Sequence, residues 1–281
     1  MNEHSEFKYC LNTSTIQECK LDVPREVEVT SQAGYQGIEL WVAEIEDYIG
    51  SGGTLRELRR IVEDSDLEVP NLIAFFQWAH PDDGERHEGL EQARKVFAMA
   101  RELGCPYVAA PPFGVTDREE LSMAHLAGCF GAVLDIGRQA GVKPLLEFWG
   151  ISKVLGSLAE ATDVLALVDD PDGALLADVF HMARDGSDLE LLWKLDRDQL
   201  CLVHVNDYPG TSDGSRSTDR ERLYPGDGIA PYDEIMGALN AIGYRGFLSL
   251  ELFNRAYQEA GALQAARTGL AKMRQIVEAS G

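Results

Sequence analysis

The chain has 281 residues, 45% of them hydrophobic, and its 47 acidic side chains outnumber Lys and Arg (25) to give a formal charge of −22. A surface this acidic repels nucleic-acid phosphates and anionic lipid, which excludes both as expected partners. No run of about 18 apolar residues is present to span a membrane, and the apolar share suffices for a large core.

The N-terminus, Met-Asn-Glu-His-Ser-Glu, has neither the basic stretch nor the apolar core of a signal peptide. Five scattered cysteines without Cys-x-x-Cys spacing read as reduced packing residues, so a cytoplasmic location is expected.

In chain order, residues 7–12 form the first predicted strand, and a helix runs from Pro24 to Gly34. Residues 37–41 are the second strand, followed by a helix over 54–65 with Leu55, Leu58, Ile61 and Val62 at helical spacing. The third strand covers 69–76 and leads into a polar loop at 80–84. The next helix carries Leu90, Ala93, Phe97, Ala100 and Leu103 on one stripe and closes at Gly104. Residues 107–110 make the fourth strand, and a long helical segment covers 117–140. Strands are then expected at 142–148, 174–181, 200–207 and 247–253, with helices at 158–168, 188–195 and 231–242 between them. A final helix carries Leu263, Ala266, Leu270, Met273 and Val277.

Eight strands alternating with helices, with no linker between them, predict an α/β fold: a single (β/α)8 TIM barrel forming one domain over 1–281. An open doubly wound sheet would carry a glycine-rich phosphate turn after its first strand, and none is there. The long loop 207–231 after strand seven is expected to serve as a lid or specificity wall.

The last four strands share one design, an apolar run with a lone polar group near its late end: Glu147, Asp178, His204 and Glu251. A charge in such a strand costs several kcal/mol unless it is paired or bound to a metal. Independent hydrogen bonding explains one such residue more readily than four in consecutive strands. Side chains alternate faces, so Glu251 goes with Ser249 and His204 with Leu202, pointing into the barrel mouth. Three carboxylates and an imidazole suit one divalent cation, Mn²⁺ first, with Mg²⁺, Co²⁺ or Zn²⁺ as the others. Trp41, Phe76, Trp78, Phe148 and Trp149 lie near strand ends and read either as an apolar wall for a sugar ring or as core. His80, in the loop after strand three, reads as facing the site or the surface.

The segments 146–148, 178–181, 204–207 and 249–253, with Arg222-Leu223-Tyr224-Pro225-Gly226-Asp227-Gly228, resemble the xylose isomerase-like TIM-barrel superfamily of sugar isomerases and epimerases. Within it they are most similar to the inosose isomerase (2-keto-myo-inositol isomerase) branch. The resemblance implies a metal-dependent isomerase or epimerase of a keto-polyol or keto-sugar, working by proton transfer through a metal-stabilised enediolate. It implies one divalent ion held by Glu147, Asp178, His204 and Glu251, with Glu147 and Glu251 as the acid/base pair. His181 would hydrogen-bond a substrate hydroxyl, and Arg222 would reach a substrate oxygen or anchor the loop, unless it forms a plain salt bridge with a neighbouring acid. Trp149 and His80 complete the expected substrate wall.

A lyase on the same metal, inosose dehydratase-like or eliminating from 3-keto-glycosides, begins with the same proton removal. A repair endonuclease of the superfamily would need a histidine-rich metal cluster and a basic groove, against which six histidines and the −22 charge argue. A metal- or sugar-binding protein without turnover is the remaining reading. The expected partner is a small neutral polyol or keto-sugar, and assembly as a homo-oligomer is left open.

Overall fold

The computed structural model describes residues 7–185, 189–210 and 217–280. Eight parallel strands close on themselves in sequence order: β1 (Lys8–Asn12), β2 (Gly37–Trp41), β3 (Asn71–Ile73), β4 (Tyr107–Ala110), β5 (Lys143–Glu147), β6 (Leu175–Asp178), β7 (Leu200–Val205) and β8 (Phe247–Leu250). β8 returns to β1 with Ser249 opposite Cys10. The chain is thus a single (β/α)8 barrel.

The period of two decides what each strand buries. Leu146, Ala177, Val203, Val205, Leu248 and Leu250 face outward into the core beneath the helices. Cys10, Leu145, Leu176, Leu202 and Phe247 face inward and meet Ile73 and Ala109 as a separate apolar plug. Two residues further along the same strands, the inward positions turn polar: Asn12, Glu147, Asp178, His204 and Ser249, all buried. A polar layer therefore sits on an apolar floor at the C-terminal end of the barrel, where this architecture places its chemistry.

The helices are α1 (Val23–Ala33), α2 (Val42–Gly50), α3 (Leu55–Asp64), α4 (Asp83–Leu103), α5 (Met123–Ala140), α6 (Leu158–Val168), α7 (Val179–Asp185), α8 (Tyr232–Ala241), α9 (Arg255–Gln258) and α10 (Ala262–Ala279). Their ends follow local chemistry. The Asp82 side chain accepts the N–H groups of Gly84 and Glu85 at the start of α4, and Gly104 takes the left-handed conformation (φ 78°) that ends it. No helix among the described residues is long and apolar enough to cross a membrane.

Several boundaries differ from the sequence expectation. Strands seven and eight stop early, at Val205 and Leu250, and the helix expected over 188–195 is a 3-10 helix, Leu189–Lys194. The third strand is shorter, beginning after Pro70, which cannot donate to a ladder, and releasing Phe75 and Phe76. The sixth ends at Asp178, because that carboxylate accepts the N–H of Phe180 (2.7 Å) and His181 (3.2 Å) and starts α7; His181 is helical. The helix expected over 117–140 begins only at Met123, capped by Ser122. Helix α2, with Val42 and Ile45 buried, has no counterpart among the expected elements. In the loop 207–231, residues 211–216 lie outside the described residues, and the rest folds back so that Asp207 pairs with Leu223.

Candidate metal and catalytic site

Strands β6 and β7 and the residue after β8 bring Asp178, His204 and Glu251 together, each offering one atom within 4.8 Å of the others. His204 Nδ1 lies 3.3 Å from Glu251 Oε2 and 3.6 Å from Asp178 Oδ2, and it is buried without a hydrogen-bond partner. The opposite ring nitrogen, Nε2, is 3.0 Å from Glu39 Oε1. Asp178 Oδ1 is taken by the backbone N–H groups that start α7 and by Asn206 Nδ2 at 3.2 Å, so only Oδ2 faces the cluster. Glu251 Oε1 accepts from Asn12 Nδ2 at 3.2 Å, which leaves Oε2 on the same side.

Arg222 arrives from the loop after β7 and is fully buried. Its Nη1 donates to Asp178 Oδ2 and Glu251 Oε2, both at 2.8 Å, and its Nε and Nη2 donate to Asp219 Oδ1. The guanidinium lies over the rings of Phe180 (4.5 Å) and Phe253 (5.2 Å). Each shared carboxylate oxygen keeps lone-pair capacity beyond the one arginine contact.

Glu147 stands apart from the three-residue group but in the same cleft, with Oε1 accepting from Trp149 Nε1 at 3.1 Å. Burial, with Glu251 and Asp178 adding their charge, pushes its carboxyl up to about 8. Burial also raises Glu251, opposed by His204 and Arg222. Asp178 goes the other way: Arg222, His181 and His204 outweigh its burial and hold it well below the usual carboxylate range. Burial would lower His204, yet the charges of Glu251 and Glu39 keep it well above the ordinary imidazole value. His181 is pushed down to about 4, chiefly by burial, so its ring is neutral at pH 7, and its Nδ1 has no hydrogen-bond partner.

Glu147, His181, Arg222 and Glu251 line a cleft of about 260 Å³. Its other walls are Trp41, Ile73, Phe75, Trp149, Ile151, Asp219 and Phe253. Of the residues singled out from sequence, Glu147, Trp149, His181, Arg222 and Glu251 line this cleft, with Asp178 and His204 buried against it. His80 is not brought there: it lies in the turn before α4, its Nδ1 accepting from Asp82 N at 3.2 Å. Phe76, Trp78 and Phe148 pack in the outer core, and Phe75 and Phe253 take the wall in their place.

Glu39, Asn12 and Asn71, which join the polar layer from β1 to β3, were missed. The signal for Glu39 was present, a lone carboxylate in the apolar strand Gly-Ile-Glu-Leu-Trp, the same pattern as in β5 to β8.

The chain belongs to the xylose isomerase-like TIM barrel family, whose model matches residues 27–276. An inosose isomerase from Halalkalibacterium halodurans is 27% identical over 266 residues, covering 93% of each chain. A 3-dehydroshikimate dehydratase from Pseudomonas aeruginosa is 27% identical over 91% of this chain, which spans 40% of that protein. Among solved structures, an IolI protein with a bound zinc atom superposes with a TM-score of 0.90 over 98% of this chain and 99% of its own, at 24% identity. The chain is an enzyme of this superfamily.

Proposed function

We propose that the chain is a divalent-metal-dependent isomerase or epimerase that moves a proton at the carbon beside the carbonyl of a neutral keto-polyol or keto-sugar of the inosose type. The observation that carries this reading is His204 Nδ1: a buried ring nitrogen without a partner, set between two carboxylate oxygens. An imidazole nitrogen and carboxylate oxygens are the donor set of Mn²⁺, Zn²⁺ or Co²⁺, and Mn²⁺ is our first choice. Asp178, His204 and Glu251 would hold the ion, with Glu147 completing the set. When bound, the ion supplies Lewis acidity, drawing charge from a carbonyl oxygen so that the neighbouring C–H becomes acidic.

The protein's own groups do the rest. Glu147 lines the cleft with one carboxylate oxygen held by Trp149 Nε1, which suits the other to take the proton from carbon and return it. Glu251, in the same cleft, is its counterpart. Neutral His181 offers a ring nitrogen to a substrate hydroxyl. Trp41, Phe75, Trp149 and Phe253 present aromatic faces and edges to the C–H surface of a ring and keep water out. Arg222 is the one permanent cation among the described residues lining the cleft, and Asp178, Glu251 and Asp219 already engage it. Phosphate- or carboxylate-bearing substrates therefore meet no free positive group there.

The dehydratase relative supports a second reading, a lyase that removes the same proton and then expels a β-oxygen. Incubating Mn²⁺-loaded protein with 2-keto-myo-inositol in D₂O distinguishes the two by mass. Uptake of deuterium at otherwise unchanged mass is expected, abolished when the protein is chelated beforehand and restored by Mn²⁺; loss of water would favour the lyase. Metal-loaded protein that exchanges no proton of any neutral keto-polyol would end the proposal.

A further inference from the structure

Glu39 is fully buried beneath the cluster and does not line the cleft, yet four donors converge on it. Oε1 takes His204 Nε2 at 3.0 Å and Asn71 Nδ2 at 2.7 Å; Oε2 takes Ser249 Oγ at 2.6 Å and Asn12 Nδ2 at 2.9 Å. Three of those donors are fixed by strands β1, β3 and β8, so the carboxylate cannot turn without leaving several unpaired. An ionised carboxylate only accepts, which puts a proton on His204 Nε2 and presents Nδ1 to the gap between Asp178 Oδ2 and Glu251 Oε2. A carboxylate behind an imidazole also makes the far nitrogen a better donor to a cation.

We infer that Glu39 is a positioning residue of the metal centre: it grips His204 through Nε2 so that Nδ1 is free to bind the ion. This inference rests on the metal reading given under Proposed function. A merely structural Glu39 would stitch the barrel strands together, and its loss would lower stability while leaving metal affinity alone.

The test is Zn²⁺ affinity by chelator competition in the wild type and in Glu39→Gln, alongside ¹⁵N-histidine NMR of the zinc-loaded wild type. The amide keeps one accepting oxygen but turns an NH₂ onto the donors that met the other. Expected are a loss of zinc affinity of about 10- to 100-fold in a variant that still unfolds cooperatively, and a His204 that carries zinc on Nδ1 and a proton on Nε2. Wild-type affinity in the folded variant, or zinc on Nε2, overturns the inference while the metal reading stands. A wild type that takes up no zinc overturns the metal reading and this inference with it. Should Glu39→Gln fail to fold, the wild-type spectrum decides alone.

Discussion

Among single residues, Glu147 has the most direct chemical consequence. Glu147→Gln keeps the shape and the Trp149 contact but cannot carry a proton, so turnover is expected to fall by about 10²- to 10⁴-fold. Steady-state kinetics with substrate affinity measured separately checks this, since a binding defect would move KM instead. Glu26, in α1 and away from the cleft, yields a pH prediction of its own. Burial, with Glu44 and Asp22 adding repulsion, raises its carboxyl to about 9. A folded-state value above the unfolded one means that the folded chain holds the extra proton. Its contribution is therefore intact below about pH 4.5 and lost as pH rises toward 9, at roughly 1.4 kcal/mol per pH unit at most. Glu26→Gln should flatten that slope in urea unfolding between pH 5 and 8 (about one to two units either side of neutral), and an unchanged slope would refute it. Legibility at this scale followed solvation. Glu147, Asp178, His204 and Glu251 stood out because each interrupts an apolar strand, and Glu39 does the same in β2. Phe76 is the wall residue the sequence suggests and Phe75 the one that lines the cleft, because which of the two faces it depends on where the β3 ladder ends.

Among the elements, the return of the loop after β7 hangs on Asp207. Its buried carboxylate accepts four backbone N–H groups, from Tyr208 (2.8 Å), Gly226 (2.9 Å), Gly228 (2.9 Å) and Ala230 (2.8 Å). That turn follows directly on Arg222, so the arginine's place in the cleft depends on a carboxylate 15 residues earlier, which no local pattern discloses. Gly228 is required there, because an added Cβ would lie 2.2 Å from Tyr208 O and 2.4 Å from Asp207 Oδ1. Gly228→Ala should lower stability by about 1–3 kcal/mol and speed amide exchange over 222–230. Protection equal to the wild type would show that the turn tolerates the methyl. The β6–α7 boundary was illegible for a related reason: Ala174 to Phe180 is apolar enough for one long strand, and only the side chain of Asp178, folding back onto its own backbone, stops it.

For the whole molecule, the barrel was legible because eight apolar runs alternate with amphipathic segments, a pattern that closure satisfies without edges. The division of labour around it was not. β5 to β8 carry Glu147, Asp178, His204 and Glu251 at their ends, while β1 supplies Asn12, which holds Glu251, and β2 supplies Glu39, which holds His204 and is itself held by Asn12 and by Asn71 from β3. A cation bound across these strands would couple to global folding, so saturating Mn²⁺ at ~100 times its Kd should add ~2.7 kcal/mol to unfolding. Denaturation with metal and with chelator measures this, and coincident curves would contradict it.

The dual use of Asp178 has a last implication. One of its oxygens looks into the cluster and the other begins the helix that carries His181, a wall of the cleft. Lengthening this side chain to glutamate, or exchanging it for histidine, would re-hang that wall along with the charge. Changing the charge that faces the cluster and reshaping the cleft are, at this position, one and the same edit.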